Sequence, residues 1–128
     1  MAVAAMLMAE LPFTPEQEIM VKIEPERNIF TLINTFEVEP TNQQIVANLL
    51  EEATEKLIKQ LPGFVSASIH QSFDGKYVTN YAQWESEIHF RSMTKNLEMQ
   101  AHMKELQSLT LSILPVFYRV TYVGESEN

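Results

Sequence analysis

Asp74-Gly75, set between two runs of alternating apolar and polar residues, is the feature that most narrows the folds open to this chain. Glycine reaches the positive φ that a hairpin turn needs, and aspartate bonds the backbone just after it, so this dipeptide commits its flanking runs to antiparallel pairing. The runs are Phe64 to Ser72 and Lys76 to about Trp84. Side chains alternate along a strand, so Val78, Asn80, Ala82 and Trp84 share one face of the second run. Asn80 is the polar exception on that apolar face. A buried amide without partners costs about 1–3 kcal/mol, so Asn80 is expected to bond to something, and a pocket-bound ligand is one candidate. The plainer reading bonds Asn80 to neighbouring backbone and treats Trp84 as the largest core side chain.

Elsewhere the period changes from two to nearly four and back. Ile29 to Pro40 alternates, with Phe30, Leu32, Asn34, Phe36 and Val38 on one face, and gives a first strand that also carries an asparagine among apolar groups. Thr41, with Gln44 three residues later, has the capping-box pattern and opens a helix expected to run to about Gln60. Its apolar stripe is Ile45, Leu49, Ala53 and Leu57, flanked by Leu50 and Ile58. Leu61-Pro62-Gly63 ends it. Ser86 is expected to cap a helix bearing Ile88 and Met93. A break near Lys95-Asn96 then precedes a helical stretch with Met99, Met103 and Leu106, and Pro115 introduces a last strand, Val116 to Val123.

Strand, helix, strand, strand, helix, strand is the α+β, ferredoxin-like βαββαβ order, with four antiparallel strands and the helices on one sheet face. The other face, including Ile29, Thr31, Ile33, Tyr77, Thr79 and Tyr81, is then uncovered and semi-apolar, which points to a homodimer joined sheet to sheet. At 128 residues the chain fits one domain, expected over residues 29–124. Residues 1–28 form an extension in which Glu18 to Ile23 is a candidate extra strand, and residues 125–128 form a tail. Met1 to Ala9 is apolar but too short to cross a bilayer and lacks the basic start of a signal peptide, so a cytoplasmic protein with no membrane partner is expected.

A net charge of −8 argues against binding nucleic acid, whose phosphates call for clustered Lys and Arg. With no cysteine there is neither a disulfide framework nor a thiolate nucleophile. Three scattered histidines show no metal-ligand spacing, and three glycines leave no phosphate-cradling loop, so neither metal nor cofactor is expected.

Phe64-Val65-Ser66-Ala67-Ser68-Ile69-His70, the Asp74-Gly75 turn, Asn80-Tyr81-Ala82-Gln83-Trp84 and Gln100-Ala101-His102-Met103, in this order and spacing, resemble the antibiotic biosynthesis monooxygenase domain over roughly residues 29–124. The resemblance implies a dimeric α+β barrel and a cofactor-independent monooxygenase that oxidises a phenolic or hydroquinone-type aromatic with dioxygen. It places Asn80 and Trp84 on the wall of a cavity between sheet and helices. The tyrosines and arginine that complete the pocket of the actinorhodin-pathway member are not recognisable here. Asn34 and His102 resemble two of three residues used by a haem-degrading branch of the family, and Met93 stands where that branch has a helical tryptophan.

The expected site is therefore Asn80, Trp84, Asn34 and His102. The two amides would hold an oxygen species or a substrate oxygen, and His102 would act as base, since imidazole titrates near neutrality. The rival reading is a non-catalytic small-molecule binder of the same fold, and haem degradation is the weaker one. His70 is expected on the outer strand face and His89 early in a helix.

Overall fold

The hairpin comes first in the logic of the fold, and in the computed structural model, which describes residues 20–128, it joins β2 (Phe64–Gln71) to β3 (Tyr77–Trp84). Gly75 sits at φ 80°. The carboxylate of Asp74 accepts from the Ser72 hydroxyl at 2.7 Å and the Lys76 amide at 2.9 Å, while Ser72 Oγ accepts from the Tyr77 amide. The Ser72 bond, followed by the Lys76 amide, holds the Asp74 carboxyl below the usual carboxylate range.

β1 (Phe30–Glu37) pairs antiparallel with β3, and β4 (Ser112–Tyr118) pairs antiparallel with β1, giving the strand order β2-β3-β1-β4. Three helices complete the domain: α1 (Gln43–Lys56), α2 (Glu87–Thr94) and α3 (Leu97–Ser108). This is the ferredoxin-like α+β architecture expected from the order of periods. Ser86 caps α2 by accepting from the His89 amide, and Asn96 caps α3 by accepting from the Met99 amide at 3.0 Å, so a capped break splits the second helical region where the sequence placed it.

Other boundaries differ for identifiable reasons. Pro40 opens a 3-10 turn, Pro40–Asn42, so α1 starts at Gln43 and no side chain caps it; Gln44 bonds Asn48 instead of closing a capping box with Thr41. The Gln43 amide donates to the carbonyls of Ser72 and Tyr77 at 2.8 and 3.1 Å, tying the helix start to the hairpin loop. The buried stripe is Val46, Ala47, Leu50 and Ala53, with Ile45 turned to solvent. α1 stops at Lys56, and a separate 3-10 turn, Ile58–Gln60, finishes the run. On α2 the expected core residue Ile88 is 75% exposed, and Phe90 packs inward with Met93 instead.

The last strand is shifted as well. Pro115 lies inside β4, opposite Asn34, rather than before it. An edge strand leaves one side unpaired and so accommodates a residue with no N–H. β4 stops at Tyr118, opposite Thr31 near the start of β1, because its partner ends there; residues 119–128 have no regular structure despite their alternating pattern.

Within the proposed extra strand, Met20 to Ile23 has no strand pairing, and its first two residues, 18 and 19, lie outside the described residues, as does the apolar run Met1 to Ala9. The Lys22 carbonyl nevertheless accepts from Gln83 at 3.2 Å, and Gln83 and Thr31 are buried on the sheet face away from the helices. That face is therefore covered from within the chain at one end, where Ile29 and Thr31 were expected to be open.

Two core clusters lie between sheet and helices. One gathers Phe36, Val38, Val46, Leu50, Val78 and Leu106; the other gathers Leu32, Ala53, Ile58, Ala82, Trp84 and Met99. Gly63, at φ 81°, brings the end of the first helical region against α2: a Cβ there would strike the His89 ring, and the Gly63 carbonyl accepts from the Glu85 amide. Gly63→Ala is expected to cost about 2 kcal/mol or more from strain and collision together. Gly75→Ala, where a Cβ would only touch Pro40 at 3.4 Å, should cost less. Urea unfolding of the two variants checks the order.

Candidate functional site

The register of β1 on β3 sets Asn34 directly opposite Asn80. Their row across the sheet reads Ile69, Asn80, Asn34, Pro115. On one side of it Val78 faces Phe36, in the first core cluster, and on the other Ala82 faces Leu32, in the second. The two amides thus stand at the seam between the clusters, on the helix side of the sheet.

A cavity of about 230 Å³ opens over that seam. Its origin is steric. The row beside the amides carries Ala67 and Ala82, and Ala53 of α1 is among the lining residues, so three methyl groups stand where larger side chains would fill the space. Aromatic rings form much of the wall: Phe64 meets Trp84 edge-on at 5.3 Å, and Trp84 meets Phe90 edge-on at 6.2 Å. Met93, Met99 and Met103 line the helix side.

Asn34 is 8% exposed and Trp84 1% exposed. The amide oxygens of both Asn34 and Asn80 are buried with no hydrogen-bond partner among the described residues. Buried amide oxygens are nearly always satisfied, so two without a protein partner, side by side on the wall of one cavity, mark it as a candidate ligand site. An unpartnered amide can turn about its last bond and present either its oxygen or its NH2 to a guest. Thr31 Oγ1 is also buried without a partner, but on the other face of the sheet.

Three of the four residues singled out in the sequence, Asn34, Asn80 and Trp84, meet at this cavity. His102 does not. It lies half-buried on α3, whose contributions to the lining are Met99, Gln100 and Met103. Among the described residues, none that lines the cavity carries an ionisable side chain. His70 is on the outer face, bonded to Ser68, and His89 bonds Ser86. Among the described residues there is no group of three or more potential metal ligands.

Sequence reasoning missed part of the wall. Phe64 faces the cavity because a bulge between Phe64 and Ser66 breaks the alternation of β2; without it Phe64 and Ala67 would lie on opposite faces. Phe90 was overlooked beside Ile88, and Phe117 lies in a strand that was expected four to five residues too late. A check of which face Pro115 would take on an edge strand was the available signal for Phe117.

Replacing Asn80 by leucine removes an amide whose buried oxygen has no partner among the described residues. Asn80→Leu is expected to keep or raise thermal stability, by up to about 1–3 kcal/mol, whereas truncating Phe36 in the adjacent core should lower it by about 3–5 kcal/mol. Thermal melts of the two variants distinguish an amide kept for a ligand from one kept for the fold.

Comparison with known proteins places this geometry in context. Residues 29–105 match the family model described as antibiotic biosynthesis monooxygenase. Tetracenomycin-F1 monooxygenase of Streptomyces glaucescens is 43% identical over 103 residues, covering 80% of this chain and 91% of the relative. Among solved structures, the monooxygenase from the gene ActVA-Orf6 of Streptomyces coelicolor, in complex with nanaomycin D, superposes with a TM-score of 0.70 at 33% identity, over 80% of this chain and 96% of that one. SnoaB of Streptomyces nogalater, described as a cofactor-independent oxygenase, shares the fold at 19% identity with a TM-score of 0.63, over 75% of this chain and 96% of that one.

Proposed function

This chain is a monooxygenase belonging to the antibiotic biosynthesis monooxygenase family, and we propose that it oxidises a phenolic or hydroquinone-type fused aromatic with dioxygen, without a cofactor, in the cavity beneath α1 to α3. The observation that carries this reading is the pair of amides, facing each other across β1 and β3 with oxygens that have no partner among the described residues, in a largely apolar, aromatic-walled space. The edge-on rings suit a flat guest, and the two amides suit a guest with oxygen substituents. The relatives are a tetracenomycin F1 monooxygenase and a monooxygenase solved with nanaomycin D, and the same broad class of guest is proposed for this chain.

In this reading the substrate supplies the reducing power. A phenolate gives one electron to dioxygen, leaving a phenoxyl radical beside superoxide. The two combine at a hydrogen-bearing ring carbon, para to the oxygen in a phenol or ortho to it in a hydroquinone, forming a carbon–oxygen bond and a peroxide. The peroxide takes up a proton, the carbon–hydrogen bond at that ring carbon gives up its proton, and the oxygen–oxygen bond breaks with loss of water. The ring carbon becomes a quinone carbonyl, so one atom of dioxygen enters the product and the other leaves as water.

Asn34 and Asn80 hydrogen-bond the phenolate oxygen or the reduced oxygen species through their NH2 groups, stabilising charge as it forms. Trp84 closes the wall. The base role expected for His102 drops out of this mechanism, because His102 is not among the lining residues. The proton leaves the substrate in solution or through water at the cavity mouth. The rate is therefore expected to rise with pH through the substrate's own phenol pKa, and His102→Gln should leave that profile unchanged.

Oxygen uptake with a panel of one- to four-ring hydroquinones and phenols, in air, tests the proposal. Activity above background is expected, falling at least about a hundredfold in Asn80→Leu, and lost in Ala82→Leu, which fills the void. Binding without oxygen uptake across the panel would favour the small-molecule binder instead.

We also propose a homodimer formed through the sheet face away from the helices. Leu114 is 62% exposed there, on the same face as Tyr118 and Tyr77, and apolar groups of this size on one sheet face call for cover. Leu114→Lys is expected to shift the sedimentation coefficient from dimer to monomer, while a wild-type protein that already sediments as a monomer would refute the dimer.

A further inference from the structure

About 230 Å³ is small for the guest proposed above, since pockets for drug-sized ligands span roughly 300–1,000 Å³. At one end the cavity is bounded by Phe90 and Phe117, which pack with Phe30 into a cluster of three phenylalanine rings. Phe30 stacks on Phe117 with centroids 5.2 Å apart, Phe90 meets Phe117 edge-on at 5.2 Å, and Phe30 and Phe90 are 5.7 Å apart. Beyond the cluster lie two surface depressions of about 380 and 200 Å³. Phe117 lines the cavity and both depressions.

The register fixes where this wall stands. Pro115 faces Asn34, and Phe117 faces Leu32 one row further along. Two residues of strand advance about 6.8 Å, so the phenylalanine wall begins about one side-chain row from the amides. Phe117 is 47% exposed and belongs to an edge strand held by β1 alone. Its side chain lies on the helix side of the sheet, so a dimer formed through the opposite face leaves it in place.

We propose that Phe117 is a specificity-determining residue that sets how many fused rings the site accepts. This rests on the aromatic-guest reading above. The ring to be oxidised lies against Asn34 and Asn80, and the remaining rings run toward Phe117. Short fused systems end against its ring, and longer ones must displace it to reach the depression between β4 and α2. Removing the ring joins the cavity to that depression and shifts preference toward longer guests.

Trp84 is the chain's single tryptophan and lines the cavity, so its fluorescence reports occupancy without any turnover. Wild type, Phe117→Ala and Phe117→Leu would be titrated under nitrogen with a two-ring naphthohydroquinone and a linear four-ring naphthacene hydroquinone. The ratio of four-ring to two-ring affinity is expected to rise about tenfold in Phe117→Ala and less in Phe117→Leu. Ile88→Ala, on the exposed side of α2, should leave it at the wild-type value. Circular dichroism confirms that each variant is folded, and Phe117→Leu carries the test alone if the alanine variant is not.

A wild-type ratio in a folded Phe117 variant overturns the proposal. Because the readout is binding, the two ideas fail separately. A shifted ratio with no oxygen uptake keeps the wall and sinks the oxygenation reading. Oxygen uptake with an unshifted ratio does the reverse.

Discussion

Everything at the candidate site depends on one alignment, the antiparallel register of β1 on β3. Because side chains repeat every two residues, a slip of one position would send Asn34 to the outer face and bring Thr35 or Ile33 inward. The observed register pairs the two asparagines and brackets them with Phe36 facing Val78 and Leu32 facing Ala82. Burial of those apolar neighbours stabilises the alignment, and the alignment in turn forces two amides into a place where their oxygens find no partner among the described residues. The apolar rows stabilise the sheet while the amide row opposes it, an arrangement expected where a site is maintained at some expense of stability.

The void follows from the same economy of side chains. Ala67, Ala82 and Ala53 leave space that leucines would occupy, and the aromatic rings around it hold the walls apart through edge-on contacts rather than closing over it. An apolar shell makes each remaining polar group count for more, since hydrogen bonds and charges are stronger where water is excluded. Among the described residues the polar groups of the lining are amides and hydroxyls, and these can orient and stabilise a charged guest but do not take its proton at neutral pH.

Much of this was legible in the chain. The hairpin at Asp74-Gly75, the β-α-β-β-α-β order, the Ser86 cap, the break before Leu97 and the inward face of Asn34, Asn80 and Trp84 all follow from local periodicity and turn chemistry. Misjudged details lie where a long-range contact overrode a local one. Pro40 and the pull of Gln43 toward the hairpin loop moved the helix start, and Val46 rather than Ile45 is buried alongside the expected Leu50. The end of β1 stopped β4 at Tyr118 although the alternation continues. His102 has the right neighbours in sequence, yet the helical turn that points Met99 and Met103 at the cavity leaves it out of the lining.

By itself the sequence determined which faces are apolar, where the chain turns and which polar residues break the pattern, because each is decided within a few residues by side-chain period and backbone preference. Tertiary structure alone decided that Asn34 and Asn80 are opposite one another, that a bulge turns Phe64 inward, and that Phe117 bounds the cavity. Those depend on the register between strands distant in the chain and on how the helices settle over them. No local pattern carries that information, since register is chosen by the packing of the whole sheet against its helices.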